Sequence, residues 1–189
     1  MSHSPLSRDD GADANDESRD VDGKSNDTDR VGSDRRRIKV GVGELAVATD
    51  GETLTTSGLG SCVAVALTDE HAGVRGLLHA MLPADDGANR PTARPGKYVD
   101  SGIDALIATL REAGAKRGRL EARIAGGAEM LDLTDAVGPR NVESVECYLD
   151  TAGISIVGSD VGDDVGRTVR FCADSRLTVR AADGFERTL

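Results

Sequence analysis

Two apolar runs separated by a short polar turn are the feature that most constrains the fold of this chain. The first run, VAVAL, covers residues 63–67, and the second, VRGLLHAML, covers residues 74–82 and ends at Pro83. The segment DEHAG at residues 69–73 lies between them, and turn formers in this position predict that the two runs pair as a β-hairpin. The hairpin determines which residues face each other, so it also bears on function.

The pairing register of this hairpin decides whether a cysteine and a histidine meet. A tip of two or four residues is compatible with Cys62 directly opposite His79. Directly opposed residues have Cβ atoms about 5 Å apart on the same face of the sheet. A tip of three or five residues would shift the register by one residue and weaken the argument. The functional interpretation below depends on the first arrangement.

A glycine-rich turn precedes the hairpin and places a thiol at its start. Gly58 and Gly60 flank Leu59, and Ser61 and Cys62 follow immediately before the first apolar run. Glycine has no Cβ and lets the backbone bend sharply, so the pattern exposes the thiol at the end of an element. A neighbouring imidazole would help such a thiol to form the nucleophilic thiolate. The alternative is structural, because free cysteines often serve as small buried hydrophobes.

The remaining cysteines and histidines indicate neither a disulfide framework nor a zinc site. The chain has three cysteines, Cys62, Cys147 and Cys172. Their number is odd, and they form no C-x-x-C pair and no Cys/His ligand spacing. His3 lies near the amino terminus and His71 in the predicted turn, so His79 is the one histidine on an apolar element. No metal or organic cofactor is expected.

The first 37 residues differ in composition from the rest of the chain. They consist mainly of Ser, Asp, Gly, Asn and Arg, with seven bases against ten acids. The burial of so little apolar surface cannot offset the conformational entropy that is lost on folding. Residues 1–37 are therefore predicted to be a disordered tail, and residues 38–189 a folded domain. The absence of an apolar leader and of any run of transmembrane length predicts a soluble, cytoplasmic protein.

The charge of the chain limits the classes of partner that we expect it to bind. The formal net charge is −10, with 23 Asp against 10 Glu and 4 Lys against 19 Arg. An acidic protein of this kind is not expected to bind nucleic acid or an anionic membrane. The acid-rich, lysine-poor composition suggests a halophilic protein that stays soluble in concentrated salt. Acidic drift in a GC-rich genome would produce a similar pattern.

Strands and helices are interleaved along the folded part and predict an α+β domain in which sheet packs against helix. Strands are predicted at residues 38–48 with a break at Gly43, and at 53–56, 120–125, 153–157, 168–173 and 177–181. Helices are predicted at residues 98–114 and 139–151, and a loop at residues 85–97. We expect Cys147 to be buried in the second helix and Cys172 to be packed within a strand.

Two further segments contain residues that could form part of a substrate site or a metal site. Gly126 and Gly127 follow a predicted strand and indicate close backbone approach, either to another element beneath the site or to a substrate amide. The acidic segment SDVGDDVGR at residues 159–167 lacks the spaced ligands and the terminal Glu of a calcium loop. The second segment therefore predicts no metal site.

Five motifs occur in order between residues 38 and 179: TSGLGSCVAV, HAMLP, PGKYVDSGI, LEARIAGGAEM and GPRNVE. Together they resemble the CheD family of chemoreceptor glutamine deamidases. The resemblance implies a layered β-sandwich flanked by helices, similar to the catalytic domain of the cytotoxic necrotizing factors. It also implies that Cys62 is the nucleophile, His79 the base and Thr56 the third catalytic residue. The glycines and arginine of the acidic segment are spaced differently from the family pattern.

The resemblance also implies a reaction, in which receptor glutamines are hydrolysed to glutamate without a cofactor. Backbone N–H groups around Ser61 and Cys62, supported by Gly60, would stabilise the oxyanion. Methyl-accepting chemotaxis receptors would be the substrates, and a CheC-type phosphatase would be a further partner. Two alternatives remain open: a thiol amidase with another substrate, and a non-catalytic module that regulates such a phosphatase.

Overall fold

The computed structural model of this protein describes residues 36–84, 94–129 and 136–189. Residues 1–35 of the predicted tail and residues 85–93 of the predicted loop lie outside the described residues. No helix within the described ranges is long and apolar enough to cross a membrane.

The described residues contain ten strands, two helices and 3₁₀ turns at Pro95–Lys97 and Arg117–Arg119. The helices are α1 (Val99–Glu112) and α2 (Val137–Ala152). The strands are β1 (Arg37–Lys39), β2 (Leu45–Ala48), β3 (Thr53–Leu59), β4 (Val63–Asp69), β5 (Val74–Ala80), β6 (Glu121–Gly126), β7 (Ser155–Val161), β8 (Arg167–Phe171), β9 (Leu177–Ala181) and β10 (Glu186–Thr188).

The strands form two five-stranded sheets that pack face to face. The first sheet has the order β1-β3-β8-β9-β10, and the second has the order β2-β5-β4-β6-β7. Pairing is antiparallel except between β1 and β3 and between β6 and β7. The α+β class and the sandwich of two sheets with helices therefore match the expectation.

The alternation of side chains along β4 and β5 creates two hydrophobic cores. On one face of the second sheet, Val65 and Leu78 pack with helix residues such as Leu106. On the other face, Ala66 and Leu77 pack with residues of the first sheet. Successive residues of a strand point to opposite faces, so the fully apolar runs of the hairpin are those of a sheet buried on both sides.

The hairpin is confirmed, but its predicted register is wrong by two residues. Asp69 pairs with Val74 around a four-residue tip, so His79 pairs with Ala64 and not with Cys62. The sequence pattern places Asp69 in the turn, whereas in the structure it ends β4. A shift of two residues keeps each side chain on its face, so Cys62 and His79 still belong to the same side of the sheet.

A buried ion pair explains why Asp69 belongs to the strand. Its carboxylate accepts hydrogen bonds from Arg119 Nη2 at 2.7 Å and from the Lys116 N–H at 2.9 Å. It also accepts the Ala72 N–H at 3.1 Å within the hairpin tip. Burial alone would raise the pKa of Asp69, but these hydrogen bonds lower it to about 2. The carboxylate is therefore ionised and anchors the hairpin to the segment before β6.

The structure differs from the expectations in four other details. Cys147 is exposed, because α2 buries the side that carries Val145 and Leu149. Cys172 is half-buried and follows the end of β8 at Phe171, so it does not lie within the strand. The sequence analysis also missed β10, whose three residues are all exposed and show no apolar alternation. The described β3 extends to Leu59, three residues beyond the predicted strand.

We expect Asp69→Ala to lower the free energy of unfolding by about 3 kcal/mol, because it leaves the Arg119 guanidinium and the Lys116 N–H without the carboxylate that they bind. In the wild type, the contribution of Asp69 is complete above its ordinary pKa of 3.8 and is lost as the pH falls through about 2. Denaturant unfolding between pH 2 and pH 7 measures both effects.

Asp174→Ala is the matched control, because Asp174 pairs with Arg176 at an exposed site. We expect this substitution to change the free energy of unfolding by no more than about 1 kcal/mol. Equal losses for the two substitutions would contradict a special role for Asp69.

Candidate active site

A buried hydrogen bond joins the two sheets at the predicted catalytic histidine. Thr56 lies on β3 in the first sheet, and His79 lies on β5 in the second. Thr56 Oγ1 is 2.7 Å from His79 Nδ1, and both residues are buried. The side chains meet because each points from its own sheet into the layer between the sheets.

The histidine is fixed by its backbone as well as by its ring. The His79 N–H donates to the Glu44 carbonyl at 3.0 Å, and the His79 carbonyl accepts the Gly43 N–H at 2.9 Å. On the ring, Nε2 is buried and has no hydrogen-bond partner within the described residues. With Nδ1 held by Thr56, Nε2 is the nitrogen that can exchange a proton with a reactant.

The Cys62 side chain reaches the same layer from the start of β4. Cys62 directly precedes Val63, the first residue of that strand, and it is half-buried against the core between the sheets. Alternate residues of an extended chain share a face, so Cys62 lies on the side of Ala64, the residue that pairs with His79. The structure therefore brings Cys62, His79 and Thr56 to one layer of the interior.

Burial keeps the thiol and the imidazole neutral. Burial raises the pKa of Cys62, and the backbone N–H of the same residue offsets part of this effect. Burial lowers the pKa of His79. Both shifts disfavour the charged form, so the resting pair is a thiol and a neutral imidazole rather than a thiolate and an imidazolium.

A tight turn links β3 to the cysteine. Gly58 has φ of 76°, in the left-handed region, and lies where the pairing of β3 with β8 shifts register. Only glycine adopts this conformation without cost. The Gly60 N–H then donates to the Gly58 carbonyl at 3.1 Å. Residues 60–62, which we call the nucleophile turn, therefore leave the strand at a defined angle.

The segment after β6 supports the nucleophile turn from behind. The Ala128 N–H donates to the Gly60 carbonyl, and the Gly127 N–H donates to the Cys62 carbonyl, each at 2.8 Å. A Cβ on Gly126, where φ is 105°, would overlap the Cys62 carbonyl oxygen. Of the two interpretations of these glycines, the structure shows the close packing beneath the turn.

The backbone N–H groups of the nucleophile turn differ in availability. The Gly60 N–H is already bonded within the turn. Within the described ranges, the N–H groups of Ser61 and Cys62 donate to no backbone carbonyl. Ser61 and Cys62 therefore carry the N–H groups that can stabilise an oxyanion, while Gly60 contributes a carbonyl that holds the turn in place.

One side chain that the sequence analysis did not single out also contacts the nucleophile turn. Asn141 on α2 is fully buried, and its Nδ2 donates to the Ser61 carbonyl at 2.7 Å. An asparagine in an amphipathic helix gives no signal of such a contact by itself. In the sequence, Asn141 is distinguished only by its position in the GPRNVE motif.

The acidic segment after β7 is held together by an arginine. Arg167 is buried and donates from Nε to Asp160 at 2.7 Å and from Nη2 to Asp163 at 3.2 Å. Its Nη1 donates to the carbonyls of Gly162 and Val165. The guanidinium group thus pairs with two of the three carboxylates of this segment, and the residues assigned a structure contain no cluster of metal-ligating side chains.

A cavity of about 750 Å³ lies between α2 and the ends of β6 and β7. Its lining includes Gly127, Val142 and several acidic side chains, among them Glu129, Glu143 and Asp163. The three predicted catalytic residues are not among its lining residues. The cavity therefore lies beside the candidate site rather than around it.

Comparison with known proteins identifies the family. The family described as CheD chemotactic sensory transduction matches residues 81–181. This match begins after His79 and so does not itself include the three predicted catalytic residues. Because the match covers more than half of the chain, and because curated relatives match most of it, this chain belongs to the CheD family.

Three relatives illustrate the similarity. A protein of Natronomonas pharaonis, named "Probable chemoreceptor glutamine deamidase CheD", is 46% identical over 81% of this chain and 93% of its own length. A protein of Haloarcula marismortui with the same name is 46% identical over 76% of this chain and 83% of its own length. The "Chemoreceptor glutamine deamidase CheD" of Thermotoga maritima is 41% identical over 78% of this chain and 93% of its own length.

The neutral resting state of Cys62 predicts slow alkylation at neutral pH. We expect iodoacetamide to modify Cys62 more slowly than the exposed Cys147 at pH 7, and we expect the rate at Cys62 to rise steeply at higher pH. Peptide mass spectrometry follows the two sites separately in one sample. Fast alkylation of Cys62 with no pH dependence would show instead that the resting nucleophile is a thiolate.

Proposed function

We propose that this protein is a chemoreceptor glutamine deamidase that uses Cys62 as nucleophile, His79 as general base and Thr56 to orient the imidazole. The observation that carries the proposal is the buried 2.7 Å contact between Thr56 Oγ1 and His79 Nδ1, with Cys62 on the same side of the sheet. Membership of the CheD family and the names of the curated relatives support the reaction.

The first step joins the cysteine to the glutamine side chain. Cys62 gives its proton to His79 Nε2, and the sulfur attacks the carbonyl carbon of the carboxamide. A C–S bond forms, and the carbonyl π electrons move to oxygen. The N–H groups of Ser61 and Cys62 then stabilise this oxyanion, and one such donor contributes about 3 kcal/mol in known hydrolases.

The second half of the reaction releases ammonia and then glutamate. The C–N bond breaks when His79 returns the proton to the departing nitrogen, which leaves a thioester on Cys62. Water attacks the thioester carbonyl while His79 accepts a proton from the water. The C–S bond breaks, the proton passes to the sulfur, and the products are glutamate and the starting thiol. No metal or organic cofactor takes part.

The Thr56 hydroxyl can accept the hydrogen bond that the tautomer needed by this mechanism would donate. For Nε2 to accept a proton, Nδ1 must carry the hydrogen, so the Nδ1–H donates to Thr56 Oγ1 in the resting state. A hydroxyl adds no negative charge, and it therefore stabilises an imidazolium less than an aspartate does in other triads. This agrees with the lowered pKa of His79. The histidine is charged only while the thiolate or the intermediate balances it.

The substrate is a glutamine on a methyl-accepting chemotaxis receptor. Deamidation converts a neutral amide into a carboxylate, which changes the electrostatic interactions between neighbouring receptor helices. We further propose a CheC-type phosphatase as a binding partner, a fold similar to the catalytic domain of the cytotoxic necrotizing factors, a cytoplasmic location and function in concentrated salt. These proposals rest on the family resemblance and on the composition.

We expect Cys62→Ala to abolish deamidation, with a loss in kcat of more than about 1,000-fold, because no other group replaces the nucleophile. The measurement is mass spectrometry of receptor peptides after incubation in high salt, where each deamidation adds about 1 Da. Cys147→Ala is the matched control and should keep wild-type activity, because Cys147 is exposed on α2, away from the site.

The peptide measurement tests one alternative, and the effect of Cys62→Ala on chemotactic signalling tests the other. A thiol amidase with another substrate would leave receptor glutamines unchanged in the wild type as well. A non-catalytic module would keep its effect on chemotactic signalling after Cys62→Ala.

A second prediction concerns Thr56. We expect Thr56→Val to lower kcat by about 10- to 100-fold with little change in KM, since the ring loses its orienting partner but the substrate surface is unchanged. Thr56→Ser retains a hydroxyl and should recover most of the activity. Steady-state kinetics on receptor fragments measures both. Equal activity of Thr56→Val and the wild type would remove Thr56 from the mechanism.

A further inference from the structure

Asn141 connects the two halves of the proposed active site through one nitrogen atom. Its Nδ2 donates to the Ser61 carbonyl at 2.7 Å and to the Met81 carbonyl at 3.0 Å. Ser61 belongs to the nucleophile turn, and Met81 lies two residues after His79. The side chain thus links the position of the nucleophile to the end of the strand that carries the base.

The orientation of the Asn141 amide follows from its partners. Carbonyl oxygens only accept hydrogen bonds, so the atom that faces both of them must be the NH₂ group. The other amide atom, Oδ1, is buried and accepts no hydrogen bond from the described residues. A buried acceptor without a partner reduces stability, so the net contribution of Asn141 to folding is smaller than its two hydrogen bonds suggest.

The planarity of the peptide bond turns the contact with Ser61 into a constraint on Cys62. The Ser61 carbonyl and the Cys62 N–H belong to the same peptide unit, and in a trans peptide they point in opposite directions. Asn141 draws the Ser61 carbonyl towards α2, and this directs the Cys62 N–H away from α2, towards the side of the thiol. The lowering effect of the Cys62 N–H on the pKa of its own thiol agrees with this direction.

The neighbouring peptide units of the turn are held in the same way by main-chain groups. Ala128 N–H holds the Gly60 carbonyl, and Gly127 N–H holds the Cys62 carbonyl. Of the three donors behind the nucleophile turn, only Asn141 uses a side chain. A substitution at residue 141 therefore tests what the position of the peptide unit between Ser61 and Cys62 contributes to activity, without altering the main chain.

We propose that Asn141 is a positioning residue, which aims the Cys62 N–H at the developing oxyanion and fixes the nucleophile turn against the end of the histidine strand. This inference rests on the proposed deamidation. Asn141 touches neither the substrate nor the reacting atoms in this proposal; it acts through the peptide that it orients.

The test compares Asn141→Leu with Ser144→Ala. Leucine has a similar volume but no donor. Ser144 lies on the same helix, and its Oγ donates to the Pro83 carbonyl at 2.9 Å, so the control loses a hydrogen bond of the same kind outside the nucleophile turn. We expect Asn141→Leu to lower kcat by about 10- to 100-fold with KM within about twofold of wild type, since a misdirected donor forfeits part of the 100- to 1,000-fold effect of an oxyanion contact.

Ser144→Ala should leave kcat within about twofold of wild type. Circular dichroism establishes the folded fraction of each variant at the assay temperature, and rates are expressed per folded molecule. An unchanged kcat in Asn141→Leu, or an equal loss in Ser144→Ala, would overturn the inference. Asn141→Ala is the second variant; if neither substitution at this position folds, Asn141 serves the fold and the inference is wrong.

A measurement without substrate separates this inference from the proposed function. The Cys62 N–H also stabilises the thiolate, so we expect Asn141→Leu to move the pH dependence of Cys62 alkylation to higher pH, and Ser144→Ala to leave it in place. An unchanged profile in Asn141→Leu would contradict the inference. If the wild-type protein leaves receptor glutamines intact, the proposed function fails, and the alkylation profile alone decides the role of Asn141.

Discussion

The hydrogen bond between Thr56 and His79 is the contact on which the candidate site depends, because the two sheets share no strand pairing within the described residues. The ion pair of Arg167 with Asp160 also joins the sheets, but most of the contacts between them are apolar and would tolerate small displacements. A directional polar contact of 2.7 Å does not tolerate them, since hydrogen bonds weaken steeply as their geometry changes. The bond therefore sets the relative position of the sheets at the point where the base lies, and fold and site share one constraint.

Cys62, the proposed nucleophile, is positioned by a different kind of contact. Three consecutive carbonyls, at Gly60, Ser61 and Cys62, accept hydrogen bonds from α2 and from the segment after β6. The turn therefore does not depend on its own conformational preferences to present the thiol. His79 is held from the first sheet and Cys62 from the helix side, so the proposed catalytic pair lies where two independently supported elements meet.

Local patterns predicted the elements, and distant contacts determined the details that they missed. The hairpin, both helices and β6 follow from periodicity within a few residues. The register could not be predicted, because Asp69 is drawn into β4 by Arg119, fifty residues further along the chain. The contacts of Asn141 join residues 80 and 60 positions apart. The exposure of Cys147 depends on which side of α2 meets the sheet, and the sequence prediction wrongly placed Cys147 on that side.

The neutral pairing of Cys62 and His79 has a consequence for the durability of the protein. Oxidation of cysteine to sulfenic and higher acids proceeds through the thiolate and requires access to the sulfur. The Cys62 thiol is half-buried, and burial raises its pKa, so both the access to the sulfur and the fraction of thiolate are reduced. The same burial that raises the pKa of Cys62 thus also limits the access of peroxide to its sulfur.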